Sequence, residues 1–560
     1  MTVFYDGVDC LADQGSDLYN TLKIESSAQV NYYRQADYAL YCVYFGVVAA
    51  AIILFKNVIY KVRDKRVIQN GFENISFMGS IIDVTAAYCR LVGYRPTPLV
   101  LTKVLSFPRS LAQTLFAVAS AIFLFCVCLI PHFWYRGCKG FGSPPLAIRA
   151  GCMATALLPF IFSLSGKYSF VSLISGIGYE KLNWLHQYVG LACLVLALIH
   201  AIPFIHQPLM EGGLLNLAEV YSNDDDMQHG VPTLICLFIL VVLFNRHIRK
   251  YLYEISFHIH WIVGCAFFAF LMNHVYGMLD MQNYLWATLA IWAVQWVYRV
   301  SKSGLASVRE AEIVKIGDKS MQITVFNVKR YSWSCGQHCF LRFPGARIFD
   351  NHPFSVASIN EDDYMRFVIV PRKGLTKKLY EQLDEQIQKK RVFVDGPYGG
   401  CSRNPLSFDR VFLFSTGGGI TGTLPYLTQL SKNMSALRVD LFWVVRSYED
   451  LEIAKSEIES SLDMANERVR VHIYIANQFS VNEKKIAIEG ADIIHGKPNF
   501  GDVVSSLRSG LQARNMFITC GNSSMGREVA QGVADLQSSV LRSGDASVQE
   551  VFLHNEEFGW

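Results

Sequence analysis

Long apolar runs crowd the first 300 residues of the chain. Seven of them are about 17 to 25 residues long, the length that an α-helix needs to cross the hydrocarbon core of a bilayer. They lie near Ala36–Phe55, Leu111–Ile130, Leu146–Leu164, Leu185–Ile205, Pro232–Tyr251, Phe257–Tyr276 and Tyr284–Val300. The pattern predicts an all-α transmembrane half with about seven spans.

Beyond residue 302 the apolar runs are short and alternate between strand-like and helix-like spacing. We therefore expect a soluble half that follows a hinge near Lys302–Val308. In the whole chain 51% of residues are hydrophobic and only 18% are charged, a balance that favours a membrane protein. The formal net charge of +4 is too small to indicate binding to nucleic acid.

The distribution of basic residues orients the predicted spans. The loop 57–110 holds eight Lys and Arg, and the loop after the fifth span carries Arg246, Arg249 and Lys250. The loop 207–231 has no Lys or Arg and contains Asp224, Asp225 and Asp226 among its acidic residues. By the positive-inside rule the two basic loops face the cytosol. With seven spans, the N-terminal 35 residues then lie outside and the soluble half lies in the cytosol.

Fourteen cysteines in 560 residues do not make a disulfide scaffold, and none has the paired spacing of a zinc site. Cys335 and Cys339 are expected in a core strand. The first 35 residues contain no apolar segment of the kind found in a cleavable signal peptide.

Four histidines repeat one spacing on two predicted spans. His186 and His200 on span four, and His260 and His274 on span six, are both fourteen positions apart. Fourteen helical steps fall about 40° short of four full turns, so each pair shares one helix face and is about 21 Å apart along the axis. Both spans run in the same direction, so the inner two histidines come level, as do the outer two. We predict that His186 and His260 hold one haem iron and that His200 and His274 hold a second. The alternative is four buried histidines whose polar atoms are satisfied by neighbouring helices.

The first part of the soluble half has the short β-rich runs of a small antiparallel barrel. It contains His352-Pro353-Phe354-Ser355, then Lys373-Gly374-Leu375-Thr376, and closes with Gly396-Pro397-Tyr398-Gly399. An aromatic wall with adjacent hydroxyl and amide donors can hold an isoalloxazine ring, and backbone amides with a lysine can bind its pyrophosphate. The candidate FAD-binding residues are His352, Pro353, Phe354, Ser355, Lys373, Gly374, Thr376, Gly396 and Gly399.

The last part of the chain has the pattern of a dinucleotide-binding lobe. The strand Arg410–Ser415 runs into a glycine turn and then a helix, an arrangement that lets backbone approach a pyrophosphate, although its spacing is not GxGxxG. A second strand ends in Arg446-Ser447, where an arginine could meet a 2′-phosphate and favour NADPH over NADH. A third ends in Cys520-Gly521-Asn522, and the chain stops at Trp560. The candidate NADPH-binding residues are Gly417, Gly418, Gly419, Ile420, Thr421, Arg446, Ser447, Gly521 and Asn522, and the candidate catalytic residues are Cys520, Phe558 and Trp560.

Together, the two histidine pairs and the ordered motifs HPFS, GPYG, GGGIT, CGN and EFGW resemble the fungal ferric/cupric reductases, the metalloreductase branch of the superfamily that also contains the NADPH oxidases. The resemblance covers about residues 146–560. It implies two b-type haems, FAD in a ferredoxin-reductase-like barrel, NADPH in a C-terminal α/β lobe and an aromatic C-terminus over the flavin. The expected domains are an extracytoplasmic segment 1–35, a transmembrane haem domain 36–301, an FAD-binding barrel 302–403 and an NADPH-binding domain 404–560.

The resemblance implies electron transfer from cytosolic NADPH through FAD and two haems to Fe³⁺ or Cu²⁺, free or chelated, on the far side of a membrane. The family leads us to expect the plasma membrane, and an internal membrane would have the same sequence pattern. NADPH oxidases usually have one residue fewer between the second pair of histidines, which favours the metalloreductase branch here. Against that branch, the outer N-terminal segment has only about 35 residues instead of a large ectodomain. Two alternatives stay open: an oxidase that reduces O₂ to superoxide, and a transporter that relays protons through the histidines and senses a nucleotide.

Overall fold

A computed structural model describes residues 4–71, 77–104, 106–131, 134–242, 253–302, 308–317, 319–329, 331–344, 352–371, 374–384, 386–433, 437–477, 486–542 and 548–557. The chain forms two compact units. The first contains residues 1–54, 116–175 and 179–297, and the second contains residues 55–115, 176–178 and 298–560.

Most of the chain before residue 303 is helical. The described helices there are α1 Asp17–Gln29, α2 Asp37–Asn70, α3 Phe77–Gly93, α4 Leu99–Val104, α5 Leu111–Leu129, α6 Pro145–Ala156, α7 Leu158–Ser165, α8 Phe170–Ser175, α9 Tyr179–Asn223, α10 Asp225–Val242, α11 Tyr253–His274 and α12 Gln282–Lys302. Within the described ranges, six helices are long and apolar enough to cross a membrane. The predicted seventh span forms α12, which is not one of the six because polar residues such as Gln295 and Arg299 interrupt its apolar run. The helical, multi-span prediction is confirmed.

Two segments that the sequence analysis took as loops are largely helical. Helix α2 continues to Asn70, well beyond the predicted span end at Phe55, and α3 follows it. On the acidic side, α9 runs to Asn223 with a break at Gly213, whose φ of 71° is not helical, and α10 begins at Asp225. The acidic residues therefore lie at the start of a helix, where their negative charge interacts favourably with the positive end of the helix dipole. The expected basic residues Arg246, Arg249 and Lys250, and positions 303–307 of the predicted hinge, lie outside the described residues.

A disulfide that the sequence analysis did not find joins Cys10 to Cys138. Buried Val8, Tyr19 and Phe141 pack around it in a small hydrophobic cluster. The two cysteines are 128 positions apart, so no local pattern indicated the bond. It ties the short strands β1 Phe4–Tyr5 and β2 Val8–Asp9, and the following helix α1, to the segment between α5 and α6.

The first sheet of the soluble half is antiparallel. Its strands are β3 Val308–Ile316, β4 Ser320–Val325, β5 Gln337–Arg342, β6 His352–Ser355, β7 Met365–Ile369 and β8 Gln388–Gly399, in the order β6-β5-β8-β3-β4-β7. Residues just after β6 bond back to β7, since Ala357 N–H donates to Arg366 O at 2.7 Å. The two end strands therefore approach each other and the sheet curls into the predicted barrel. The short helix α13 Leu375–Glu381 follows β7.

The second sheet is parallel and carries helices between its strands. The strands are β9 Arg410–Thr416, β10 Arg438–Val445, β11 Val469–Ile475, β12 Asp492–His495, β13 Arg514–Gly521 and β14 Glu550–Glu557, in the order β12-β11-β10-β9-β13-β14. The helices are α14 Ile420–Lys432, α15 Lys455–Ala465, α16 Phe500–Ser506 and α17 Ser523–Leu541. The near-continuous apolar runs of β9 and β10 are buried, as expected for strands covered on both faces. The predicted ferredoxin-reductase-like pair of an antiparallel barrel and an α/β lobe is confirmed.

Candidate functional site

The structure brings the four intramembrane histidines together in the two predicted pairs. His186 and His200 lie on α9, and His260 and His274 lie on α11. The ring centroids of His186 and His260 are 6.2 Å apart, and those of His200 and His274 are 5.9 Å apart.

These separations fit two imidazoles on opposite sides of one metal ion. A metal–nitrogen bond of about 2.0 Å on each side places the two ring centroids roughly 6.3 Å apart. The two observed values lie within about half an ångström of that distance. Each pair could therefore hold the iron of one haem.

Backbone carbonyls fix the orientation of three of the four rings. Nδ1 of His186 lies 3.0 Å from Ile161 O, and Nδ1 of His200 lies 2.8 Å from Ala147 O. Nδ1 of His274 lies 2.8 Å from Asp226 O. A carbonyl oxygen can only accept, so Nδ1 is the donor and Nε2 keeps its lone pair for a metal.

Two glycines that the sequence analysis did not select make room for the outer pair. A methyl group on Gly151 would lie 2.6 Å from Nδ1 of His200, and one on Gly230 would lie 3.0 Å from Cε1 of His274. The first distance would force the ring or the helix to shift, and the second is tighter than an ordinary carbon contact, so each ring packs closely on its neighbouring helix. Sequence gave no signal for them, because neither glycine is near its histidine in the chain.

The acidic residues Asp224, Asp225 and Asp226 are next to the outer pair, since Asp226 supplies the carbonyl that binds His274. The carboxylate of Asp224 accepts hydrogen bonds from the N–H groups of Asp226 and Met227 at 3.1 and 3.2 Å and so caps α10. Within the described ranges, no group of three or more His, Cys, Asp or Glu side chains is arranged to hold a metal ion. These carboxylates can attract cations by their negative electrostatic field but do not form a preformed metal-binding site.

The candidate FAD residues lie on adjacent strands of the barrel. The motif 352–355 forms all of β6 and pairs with β5, so that Ser355 is opposite His338 and Phe354 is opposite Cys339. On its other side β5 pairs with β8, where Gly399 is opposite Gln337 and Tyr398 is opposite His338. Gly396 also lies on β8. The motifs HPFS and GPYG, more than 40 positions apart, therefore flank one strand.

An ion pair between buried Asp395 and partly exposed Arg299 supports the GPYG strand. Arg299 at the end of α12 donates to Asp395 Oδ2 at 2.6 Å and to the hydroxyl of Tyr398 at 3.3 Å, and Tyr398 also donates to Asp395. Burial raises the pKa of Tyr398 above its ordinary value, and the carboxylate of Asp395 adds to the rise. Tyr398 is therefore a neutral donor that fixes this end of β8.

Gly374 and Thr376 lie at the start of α13. Gly374 precedes the helix with a φ of 82°, a conformation that favours glycine, and Thr376 is in the first turn. Lys373 lies outside the described residues.

The candidate NADPH residues meet at the carboxyl edge of the parallel sheet. Strand β9 ends at Thr416, the turn Gly417–Gly419 follows, and Ile420 and Thr421 begin α14. The neighbouring strand β13 ends at Gly521, and Asn522 caps α17 by accepting from Met525 N–H at 2.9 Å. The hydroxyl of Thr416 accepts from Asn522 N–H at 2.9 Å and so joins the two turns. Backbone donors at two adjacent helix starts suit a pyrophosphate.

Close approaches at two glycines bring the FAD and NADPH motifs together. A methyl group on Gly419 would collide with the carbonyl oxygen of Cys520. One on Gly422 would lie 2.5 Å from Cys520 Sγ and 3.8 Å from Ser355 Oγ. Ser355 of the barrel and Cys520 of the α/β lobe therefore both lie against the first turn of α14, near Gly422. Gly422 was not among the candidate residues, although it directly follows the motif GGGIT.

A buried tryptophan on β10 forms a hydrogen bond with the glycine turn. Nε1 of Trp443 on β10 donates to Gly417 O at 3.0 Å. Trp443 is fully buried. Its place in a strand of apolar residues gave no sign of this polar contact.

Arg446 directly follows β10 at the same carboxyl edge. The N–H groups of Arg446 and Ser447 both donate to Asp450 Oδ2, at 3.0 and 3.2 Å, and fix the backbone of the turn. The Arg446 side chain is exposed, so it is accessible to a ligand phosphate. Phe558 and Trp560 lie outside the described residues.

Three family models match successive parts of the chain. A ferric reductase like transmembrane component matches residues 150–271, an FAD-binding domain matches 305–402, and a ferric reductase NAD binding domain matches 408–534. The first match contains all the candidate histidines except His274.

Similarity to individual proteins extends over the full length. The chain is 31% identical to "Ferric/cupric reductase transmembrane component 7" of Saccharomyces cerevisiae, over 100% of this chain and 99% of the relative. It is also 31% identical to "Probable cell surface ferric reductase kap2" of Aspergillus oryzae, over 68% of this chain and 54% of the relative.

Proposed function

Since the chain belongs to the ferric reductase family, whose members are NAD(P)H-dependent metal reductases, we propose that it carries electrons from cytosolic NADPH through FAD and two b-type haems to Fe³⁺ or Cu²⁺ across the membrane. The observation that carries this proposal is the pair of histidine contacts between α9 and α11, with ring centroids 6.2 and 5.9 Å apart.

The residues that would hold the irons are His186 with His260 and His200 with His274. An iron held by two imidazoles supplies one-electron transfer and leaves no open position for oxygen. The chain's own contribution is to fix the rings before the cofactor binds. The carbonyls of Ile161, Ala147 and Asp226 do this for three of them, and this preset orientation keeps Nε2 directed at the metal.

On the other side of the electron path, Ser355 and Cys520 mark where flavin and nicotinamide would meet. FAD is needed because nicotinamide gives up electrons in pairs and haem accepts them singly. Gly419 and Gly422 permit the close packing of α14 on the end of β13, and so keep the two lobes' motifs within contact distance. Arg446, exposed at the same edge, would select NADPH through its 2′-phosphate.

The metal substrate would be reduced next to the outer pair, His200 and His274. Asp224, Asp225 and Asp226 give this end of the bundle a negative field, which raises the local concentration of cations. No permanent metal site is needed for this step, because the cation has only to approach within electron-transfer distance.

The disulfide between Cys10 and Cys138 supports the proposed orientation. Disulfides persist in oxidising compartments and are rare in the cytosol, so both cysteines belong on the extracytoplasmic side. In the plasma membrane that side is the cell exterior. In intact cells the Cys10→Ser variant should expose Cys138 to a membrane-impermeant maleimide added outside, whereas the wild type should not react there. Reaction only after permeabilisation would mean that Cys138 faces the cytosol and that the proposed orientation is wrong.

The haem proposal is tested with the purified full-length chain. We expect a reduced b-type spectrum and a pyridine extract with two porphyrins per chain. His200→Ala should lose one of them, and His206→Ala, an exposed histidine on the same helix, should keep both. A colourless wild-type protein would end the proposal.

The acceptor is tested separately, because an oxidase would use the same electron path. With NADPH as donor we expect rapid reduction of a Fe³⁺ chelate and of Cu²⁺, and little superoxide. Superoxide production at the full rate of NADPH consumption, without any metal, would favour the oxidase alternative.

A further inference from the structure

The C-terminal strand β14 lies at one end of the parallel sheet order and pairs only with β13 among the described strands. The register is continuous from Arg514 opposite Glu550 to Gly521 opposite Glu557. A strand in this position has a second row of N–H and C=O groups that need partners from outside the sheet.

Side chains from the segment 55–115 supply partners along that row. The hydroxyl of Tyr94 accepts from Leu553 N–H at 3.3 Å, and Nη1 of Arg90 donates to Val551 O at 3.3 Å. The guanidinium of Arg90 also lies 5.4 Å from the centre of the Phe552 ring. Tyr94 packs against the hydrophobic core on this side of the sheet. Side chains thus take the place of a further strand.

A buried charge network joins the same segment to the start of β14. Glu550 accepts from Arg90 at 2.9 Å, from Arg403 at 2.7 Å and from Arg514 at 3.0 Å. Asp64 on α2 accepts from Arg403 at 2.7 Å and from Arg514 at 3.0 Å. Four of these side chains are buried, with Glu550 only 1% exposed, and the fifth, Arg90, is 11% exposed. Buried charges are tolerated only when they are paired, so each member depends on the others.

We propose that the segment 55–115 is a positioning element of the reductase. Tyr94 and Arg90 hold β14 in register on β13, and β13 ends in Cys520 and Gly521, opposite the end of β14. Loosening β14 would therefore displace the turn at which NADPH is proposed to bind. The inference rests on that proposed site, and it assigns a functional role to a segment that precedes all three family matches in the chain.

The variant Tyr94→Phe tests this with the full-length protein, because it keeps the ring and its packing and removes only the hydroxyl. Tyr88→Phe is the matched control, an exposed tyrosine on the neighbouring helix α3. Loss of one hydrogen bond should speed hydrogen exchange at Leu553 and nearby β14 amides by about fivefold. We also expect the KM for NADPH to rise by about threefold or more while kcat and the haem spectrum stay unchanged. Tyr88→Phe should match the wild type in every measurement.

Two results would overturn the inference. Unchanged exchange at β14 would mean that Tyr94 does not hold the strand. Faster exchange with an unchanged KM would mean that the contact is structural and does not position the site. The exchange measurement needs no NADPH, so a wild-type protein that fails to oxidise NADPH would defeat the proposed function and leave the exchange result standing.

Discussion

Gly151 lies so close to the ring of His200 that a methyl group at this position would come within 2.6 Å of Nδ1. The same Nδ1 binds the carbonyl of Ala147, one helical turn earlier on α6. A hydrogen bond therefore holds the ring against one face of α6, and the glycine leaves the space that this close approach needs.

We expect Gly151→Ala to lower the haem content at the outer pair. The added methyl must push the ring of His200 or the helix aside, and overpacking of this kind typically costs about 1–3 kcal/mol. Gly230→Ala, where the methyl would meet His274 at 3.0 Å, should have a smaller effect in the same direction. The pyridine extract measures the loss, which should not exceed one of the two proposed porphyrins per chain, because the substitution lies at the outer pair. Equal loss of both haems would mean that the substitution disturbs the whole bundle.

A second prediction concerns the junction of the two soluble lobes. Gly422→Ala should weaken the binding of NADP⁺ and slow the reduction of FAD by NADPH at least tenfold, because the methyl would lie 2.5 Å from Cys520 Sγ. Stopped-flow absorbance of the flavin measures this step without the metal substrate.

The double variant Gly422→Ala, Cys520→Ala is its control. Removal of the sulfur leaves the new methyl 3.5 Å from the nearest atom of residue 520, an ordinary contact, so affinity for NADP⁺ should return to that of Cys520→Ala alone. If the double variant binds as poorly as Gly422→Ala, the clash is not the cause. If Cys520→Ala itself binds NADP⁺ normally but turns over slowly, Cys520 acts in hydride transfer rather than in binding.

Features of the fold and the site could be predicted from the sequence when the residues that form them are close together in the chain. The repeat of fourteen positions in His186/His200 and His260/His274 is local to two helices, so the shared faces and levels could be worked out from helix geometry alone. The strand, glycine turn and helix around Gly417 were equally local. By contrast, nothing near Gly151 indicates that His200 will pack on it.

The same reasoning explains the larger omissions. Cys10 and Cys138, or Asp64 and Arg403, meet only when the whole chain is folded, and their local sequences are those of an ordinary thiol or a charged surface residue. The basic stretch 57–110 was interpreted as a loop because its charges indicated orientation. The stretch is instead largely helical and belongs to the second unit, where Asp64 on α2 pairs with Arg403 and Arg90 on α3 pairs with Glu550.

Selection of the nucleotide gives a third prediction. Arg446→Ala should raise the KM for NADPH about tenfold to a hundredfold, as expected for the loss of about 1.5–3 kcal/mol of charge-assisted hydrogen bonding, and should leave the KM for NADH nearly unchanged. Arg438→Ala is the matched control, since Arg438 is exposed at the opposite end of the same strand. A parallel rise in both KM values would show that Arg446 supports the fold of the turn and does not contact the 2′-phosphate.

The buried network around Glu550 predicts a defined dependence of stability on pH. Burial alone would raise the pKa of Glu550, but Arg403, Arg90 and Arg514 beside it hold the pKa well below its ordinary value. Its contribution to stability is therefore complete above the unfolded pKa of about 4.3 and is lost as the pH falls through the lower folded pKa.

Glu550→Gln should destabilise the second unit by about 3–5 kcal/mol at neutral pH, because three arginines lose a shared anion. The free-energy difference between wild type and variant, from denaturant unfolding, should stay constant down to about pH 4.3 and shrink below it. Asp535→Asn, which breaks the exposed pair with Arg95, should cost less than about 1 kcal/mol. A difference that already shrinks between pH 7 and 5 would mean that Glu550 is not held ionised by these arginines.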